Sequence, residues 1–260
     1  METAYKGVAG QRVLVTAGAS GIGRAIADVL VAHGARVHIC DVDERFLADF
    51  TAAHPEAGAT RADVADEADV QRLFAEAEGR LGGLDALVAN AGIAGPTGRI
   101  EEIAPADWRR CIDVDLTGQF LCARCAVPLL KAAGGGAIVC MSSVAGKHGY
   151  AFRTPYSAAK FGVIGLAQAL AKELGPANIR VNAVLPGVVE GTRIEGVIRD
   201  RAAELDLSYE EMEAQLLEKV SLRRMVTGDD VAAMVAFLLS DAGRNVSGQS
   251  IAVDANVETL

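Results

Sequence analysis

Residues 12–24 read RVLVTAGASGIGR, and this stretch decides the fold. Arg12 to Thr16 is a short apolar run of strand type, and Gly18-Ala19-Ser20-Gly21-Ile22-Gly23 follows it at once. Arg24 to His33 then carries Ala, Ile, Val and Leu at helical spacing. Strand, glycine turn and helix in that order make a phosphate-binding unit. The backbone bends sharply there and a pyrophosphate must approach the amides at the helix N-terminus, so bulky Cβ groups are disfavoured. Gly34 closes the helix. The next strand, Arg36 to Cys40, ends at Asp41, 18 residues after Gly23, where a ribose-binding carboxylate is expected. Such a carboxylate accepts from two ribose hydroxyls and repels a 2′-phosphate, so Asp41 favours NAD over NADP. Arg24 offers a phosphate partner instead; the alternative, a solvated helix residue, agrees better with Asp41.

Working outward, apolar runs near 12–16, 36–41, 58–62, 86–90, 136–141, 180–186 and 250–254 alternate with helical patterns. This alternation predicts an α/β chain: a single Rossmann-like, doubly wound domain over 1–260, with a seven-stranded, mainly parallel sheet and helices on both faces. Continuous runs such as Ala86-Leu87-Val88-Ala89 and Ala137-Ile138-Val139-Cys140 suit strands buried on both sides. Ligands of such sheets bind at the carboxyl ends of the strands. The turn after Thr16, Asp41, Asn90, Ser143 and Pro186 all fall at those ends. The stretch 190–227 breaks the alternation. Its patterns Val197-Ile198-Arg201-Ala202-Leu205 and Met212-Leu216-Leu217-Val220 predict two short amphipathic helices, read as a lid over a substrate or else as a surface insertion used in subunit contacts.

Ser143 precedes Tyr156 by 13 residues, and Lys160 lies four residues beyond it. On a helix, positions i and i+4 share a face, so the ammonium would lie one turn from the phenol. Free tyrosine titrates near ~10; a neighbouring cation favours phenolate and brings it toward use as an acid or base. The alternative is chance helical spacing beside a serine that merely ends a strand.

These motifs together resemble the short-chain dehydrogenase/reductase family over nearly the whole chain. The marks are Thr16 to Gly23, Asp63-Val64, Asn90-Ala91-Gly92, Ser143, Tyr156 with Lys160, and Pro186-Gly187. The resemblance implies that Asp63 bonds the adenine with Val64 packed nearby, and that Asn90, Ala91 and Gly92 line the cofactor cleft. It implies that Ser143 orients the substrate oxygen, Tyr156 moves the proton, and Lys160 lowers the phenol pKa and holds the nicotinamide ribose. Pro186 and Gly187 would shape the nicotinamide pocket. The implied activity is reversible, NAD-dependent interconversion of a secondary alcohol and a ketone, on a sugar-derived or hydroxy-acid substrate. A homotetramer is implied too, assembled through helices around 105–132 and 155–174 and through the C-terminal strand. Rival readings are an NADP-dependent 3-oxoacyl thioester reductase and a nucleotide-sensing protein without turnover.

The sequence departs from the family pattern at three places. Ala17 stands at the first glycine of the turn. The tail Val253-Asp254-Ala255-Asn256 replaces the frequent Asp-Gly-Gly. Asp115 takes the place of an asparagine that supports a water in a proton relay; its charge could pair with Lys160 and oppose phenol deprotonation, so relay residue and structural carboxylate stay open readings. Arg153 and Arg193 are candidates to clamp a substrate carboxylate or phosphate, or else are solvated surface residues.

The net charge of −9 argues against nucleic acid and anionic membrane as partners. No apolar run reaches the ~18 residues of a membrane span, and METAYKGVAGQ lacks a signal-peptide core, so a cytoplasmic location is expected. Five cysteines read as buried thiols. Cys122 and Cys125 have metal-ligand spacing but no second pair, so no metal is expected.

Overall fold

The computed structural model describes residues 5–258. Strand β1 (Arg12–Thr16) is an interior strand from which the sheet extends in both directions, by two strands on one side and four on the other. It pairs in parallel with β2 (Arg36–Asp41) on one side and β4 (Ala86–Ala89) on the other. With β3 (Gly58–Arg61), β5 (Gly136–Met141), β6 (Ile179–Pro186) and β7 (Ser250–Val253), the order is β3-β2-β1-β4-β5-β6-β7, parallel throughout. The expected seven-stranded doubly wound sheet is the one observed.

Alternation along each strand divides the interior in two. Leu14, Leu87, Ile138 and Cys140 point to one face, where they pack with α3 (Glu67–Leu81), α5 (Gly118–Ala132) and α6 (Thr154–Leu174). Val13, Val15, Val88, Val139 and Met141 point to the other, against α1 (Gly21–Ala32), α2 (Glu44–Ala53) and α9 (Gly228–Leu239). Both faces are covered, which is why the strand sequences read as continuous apolar runs. Cys122 and Cys140 belong to the first core, where burial pushes both thiols up, Cys140 to about 12. Gly34 follows the end of α1 at φ +83°, as expected of a residue that closes a helix.

Helix α4 (Pro105–Ile112) runs into α5 through a π-helical turn, Asp113–Thr117. The extra residue in this turn rotates Asp115 inward, where it is fully buried. In the stretch 190–227, α7 (Thr192–Leu205) and α8 (Tyr209–Glu218) match the two expected amphipathic helices. Ile198, Ala202, Met212, Leu216 and Val220 form a separate small core with Val144, Val188 and Val257. Asp206 turns the chain between the helices at φ +54°, and Ser208 with Glu211 makes a reciprocal cap on α8.

The positions where the family has glycine keep a glycine-like backbone. Ala17 lies at φ +49°, Ala255 at +53° and Asn256 at +60°. For a residue with a Cβ such a conformation costs about 1–2 kcal/mol.

Candidate active site

Thr16 ends β1 with its Oγ1 accepting the N–H groups of Asn90 and Ala91, each at 2.9 Å. Asn90 Nδ2 donates to the carbonyls of Thr16 at 3.0 Å and Ala17 at 3.2 Å. The loop after β4 is thus tied to the glycine turn. A Cβ on Gly23 would collide with the Ala17 carbonyl, and one on Gly18 would lie 2.6 Å from Ile39 Cγ2. Gly21, at φ +52°, has nothing within 4 Å of its missing Cβ, which leaves room above the amides that open α1.

Asp41 accepts the N–H groups of Val42 (2.8 Å) and Asp43 (3.2 Å) on Oδ1, while its Oδ2 is buried with no partner. A buried acceptor left over at the end of β2 and an open cradle at the start of α1 together fit a dinucleotide with free ribose hydroxyls. Arg24 is held elsewhere: its Nε donates to Asp28 at 2.7 Å and its guanidinium lies 5.3 Å from the centre of the Phe50 ring.

A cavity of about 400 Å³ runs from the turn to the first turns of α7. Ser20, Gly21, Ile22, Gly23, Asn90 and Gly92 line one end of it. Ser143, Tyr156, Lys160, Pro186 and Gly187 line the other, together with Arg153 and Arg193. Gly18, Asp41, Asp63, Val64, Ala91 and Asp115 are not on its wall. Asp63 is engaged by the Ala65 N–H (3.0 Å) and by Arg110 (2.8 Å), and Val64 packs closely enough on Gly118 that a Cβ there would lie 2.7 Å away. Gly187 lies so close to Asp254 that its missing Cβ would be 2.6 Å from that residue's Cβ. Lys147 and His148, which lie between the serine and the tyrosine in sequence, do not reach the wall; Tyr150 does.

Tyr156 and Lys160 sit on the first turns of α6. Lys160 Nζ is buried, donates to the Met141 carbonyl at 3.1 Å and stands 5.5 Å from the centre of the Tyr156 ring. The guanidinium carbons of Arg153 and Arg193 lie 4.3 Å and 5.7 Å from the same ring. Burial is the largest single influence on this phenol and pushes its pKa up; Arg193, Lys160 and Arg153 together outweigh it and hold the phenol below its ordinary value. Arg193 also reaches across the cavity mouth, donating to the Gly92 carbonyl at 3.2 Å. Ser143 Oγ accepts the Ala145 N–H at 3.1 Å, which leaves its hydroxyl proton available.

The ion pair considered between Asp115 and Lys160 is not made. No salt bridge joins them among the described residues. Gly92 stands between the two groups: a Cβ on it would be 2.8 Å from Asp115 Oδ1 and 3.2 Å from Lys160 Nζ. Asp115 instead accepts the Ile93 N–H on Oδ1 at 2.6 Å and the Cys111 S–H on Oδ2 at 3.7 Å. Its charge still acts on Tyr156, as the weakest of the five influences and in the raising direction.

Two cavity neighbours escaped the sequence reading. Phe46 of α2 is 42 % exposed and lines the end near the glycine turn. Arg201, which read as part of an apolar helical stripe, is not on the wall itself but is buried against the wall residue Tyr150.

A dinucleotide cradle and an acidified phenol sharing one cleft define a nicotinamide-dependent oxidoreductase site. The comparisons agree. A family model described as enoyl-(acyl carrier protein) reductase matches residues 16–256. A cis-4-hydroxycyclohexanecarboxylate dehydrogenase of Sinomonas cyclohexanicum is 41 % identical, over 93 % of this chain and 94 % of its own. A cyclohexanol dehydrogenase of Acinetobacter sp. (strain SE19) is 35 % identical, over 93 % of this chain and 92 % of its own. The crystal structure of levodione reductase superposes with a TM-score of 0.88 at 32 % identity, covering 94 % of this chain and 95 % of that one. The chain belongs to the short-chain dehydrogenase/reductase family.

Proposed function

We propose that the protein oxidises a secondary alcohol to a ketone with NAD, reversibly, and that its substrate is a hydroxy acid. The observation that carries this reading is the buried Tyr156 phenol, held below its ordinary pKa by three cations on the wall of the cavity that begins at the glycine turn. When bound, the dinucleotide supplies the hydride acceptor. Every other task falls to side chains of this chain. Ser143 donates a hydrogen bond to the substrate oxygen and keeps its proton, while Tyr156 as phenolate takes the proton of the substrate hydroxyl. Lys160 and the two arginines stabilise that phenolate. Gly18 to Gly23 cradle the pyrophosphate, Asp41 accepts from the adenosine ribose, and Lys160 holds the second ribose. Asn90 and Thr16 fix the turn, and Asp63, Val64, Ala91, Gly92, Pro186 and Gly187 complete the cofactor cleft.

The orphaned Asp41 Oδ2 supports NAD rather than NADP, and so does Arg24, which is occupied by Asp28 and Phe50. The hydroxy-acid reading draws on Arg153 and Arg193 beside the phenol, and on the relative that acts on 4-hydroxycyclohexanecarboxylate. The helices α7 and α8 would form the lid of the single domain. Trp108, Phe120 and Phe161, 37 %, 47 % and 48 % exposed on α4, α5 and α6, suit subunit contacts in a homotetramer. A cytoplasmic location accords with the absence, among the described residues, of a helix long and apolar enough to cross a membrane.

The rival reading, NADP-dependent reduction of 3-oxoacyl thioesters, has a relative in its favour, a putative ketoacyl reductase of the granaticin polyketide synthase at 40 % identity. Asp41 opposes it. Reduction of NAD and NADP, followed by absorbance over a panel of cyclic alcohols, hydroxy acids and polyols, separates the readings. NADH formation with a secondary alcohol is expected. Exclusive activity on acyl thioesters with NADPH, or none with any alcohol, would overturn the proposal.

A further inference from the structure

Helix α7 carries Arg193, Val197 and Arg201 at four-residue intervals, so all three lie along one stripe, and the first two line the cavity. Arg201 is 8 % exposed, and its Nε and Nη1 are buried without a hydrogen-bond partner. Its guanidinium carbon lies 4.7 Å from the centre of the Tyr150 ring, which is on the cavity wall. Arg153, 5 % exposed, stands 5.2 Å from the same ring. One of its terminal nitrogens donates to the Ala94 carbonyl at 2.5 Å, while its Nε has no partner.

Among the described residues, no salt bridge engages Arg153, Arg193 or Arg201. Glu190, the one carboxylate on the cavity wall, is also unpaired with them. A further cation is close by: burial first and Arg201 second hold the Lys219 ammonium below its ordinary pKa. Buried charges are expensive unless matched. In a chain of net charge −9, two buried arginines without an ion-pair partner, Arg153 on the cavity wall and Arg201 behind the wall residue Tyr150, mark the place of an anion supplied from outside.

We propose that Arg201 and Arg153, set about Tyr150, receive a carboxylate of the substrate, and that this carboxylate is remote from the carbinol. The inference rests on the alcohol oxidation argued above and names the substrate class more narrowly. Arg153 borders both tyrosines, at 4.3 Å from Tyr156 and 5.2 Å from Tyr150, whereas Arg201 borders Tyr150. The acid group of a 2-hydroxy acid reacting at Tyr156 would stay beside that ring, whereas Arg201 is set against the other ring, Tyr150. An acid with a ring or several carbons between its two groups spans the distance. The orphaned N–H groups match carboxylate oxygens, and guanidinium is the cation suited to burial with such a partner.

Calorimetric titration of the full chain, in the presence of NAD, with cyclohexanecarboxylate and cyclohexanecarboxamide tests the site without turnover. The carboxylate is expected to bind at least tenfold more tightly than the amide, with the preference lost in Arg201→Met and largely kept in Arg201→Lys. Equal affinities in the wild type, or a preference unchanged in Arg201→Met, would overturn the proposal. If Arg201→Met does not fold, the wild-type comparison decides alone. In turnover, kcat/KM for 4-hydroxycyclohexanecarboxylate relative to 4-methylcyclohexanol should fall at least tenfold in Arg201→Met, and 2-hydroxyhexanoate should be the poorer acid in the wild type. Failure of every alcohol to react would instead sink the oxidation reading, and the calorimetry would still judge the anion site.

Discussion

The Tyr156 phenol is pulled in opposite directions by its surroundings. Burial favours the neutral form; Arg193, Lys160 and Arg153 favour phenolate, and Asp115 opposes them. The pH profile should follow these signs. Because Arg193 lowers the phenol pKa, Arg193→Met is expected to move the rising limb of kcat/KM for alcohol oxidation to higher pH. Asp115→Asn removes a raising influence, so the same limb should move to lower pH with turnover kept or increased; its carbonyl oxygen can still accept the Ile93 N–H that Asp115 now holds at 2.6 Å. A hundredfold loss in Asp115→Asn would show that the carboxylate itself is needed. Helical spacing brings Tyr156 and Lys160 to one face, but chance gives the same spacing, and it was the other motifs along the chain that made the pair legible. Arg201 was hidden: in an apolar stripe an arginine reads as a gap in the pattern, and only its orphaned nitrogens and the ring beneath it reveal a use.

At the scale of elements, apolar runs predicted β1, β4 and β5 well because their inner positions are buried on both faces and so carry apolar residues. Strand β3 ends at Arg61, one residue earlier than expected, with Ala62 already buried beyond the ladder. The π-helical turn at Asp113–Thr117 left no sequence signal, since it depends on packing from outside the helix. One buried pair joins neighbouring strands: His38 of β2 meets Thr60 of β3 at 2.9 Å through Nε2, and its Nδ1 is without a partner. Burial, followed by the charge of Arg80, lowers His38 to about 4 from its ordinary 6.5. Between those values the unfolded chain binds a proton that the native chain refuses, so stability falls as pH drops from 6.5 toward 4, by roughly 3 kcal/mol at most. Urea midpoints at pH 7 and 4.5 should differ less in His38→Gln than in the wild type. In the turn, Ala17→Gly relieves a left-handed Cβ and is expected to raise stability by up to about 1 kcal/mol, read from the thermal midpoint.

Over the whole molecule, the ends of β1, β4, β5 and β6 supply walls of one cleft, as the order of motifs along the chain leads one to expect, while Asp41 at the end of β2 lies off its wall. What did not follow is the distribution of charge within that cleft. In a chain of net charge −9, Asp41 and Asp115 are buried, yet among the described residues no carboxylate forms a salt bridge with the buried Arg153 or Arg201. Cofactor choice belongs to this scale, and the proposed preference for NAD rests on Asp41 at the end of β2 and on Arg24, held by Asp28 of its own helix. Asp41→Ser is expected to narrow the preference of kcat/KM for NAD over NADP by at least tenfold; an unchanged ratio would move the discrimination elsewhere. The central claim is tested most directly by Tyr156→Phe, with NAD affinity and turnover measured on the same preparation. The account predicts affinity within a few-fold of the wild type and kcat lower by about 10²- to 10⁴-fold. Turnover near that of the wild type, with NAD still bound, would contradict it.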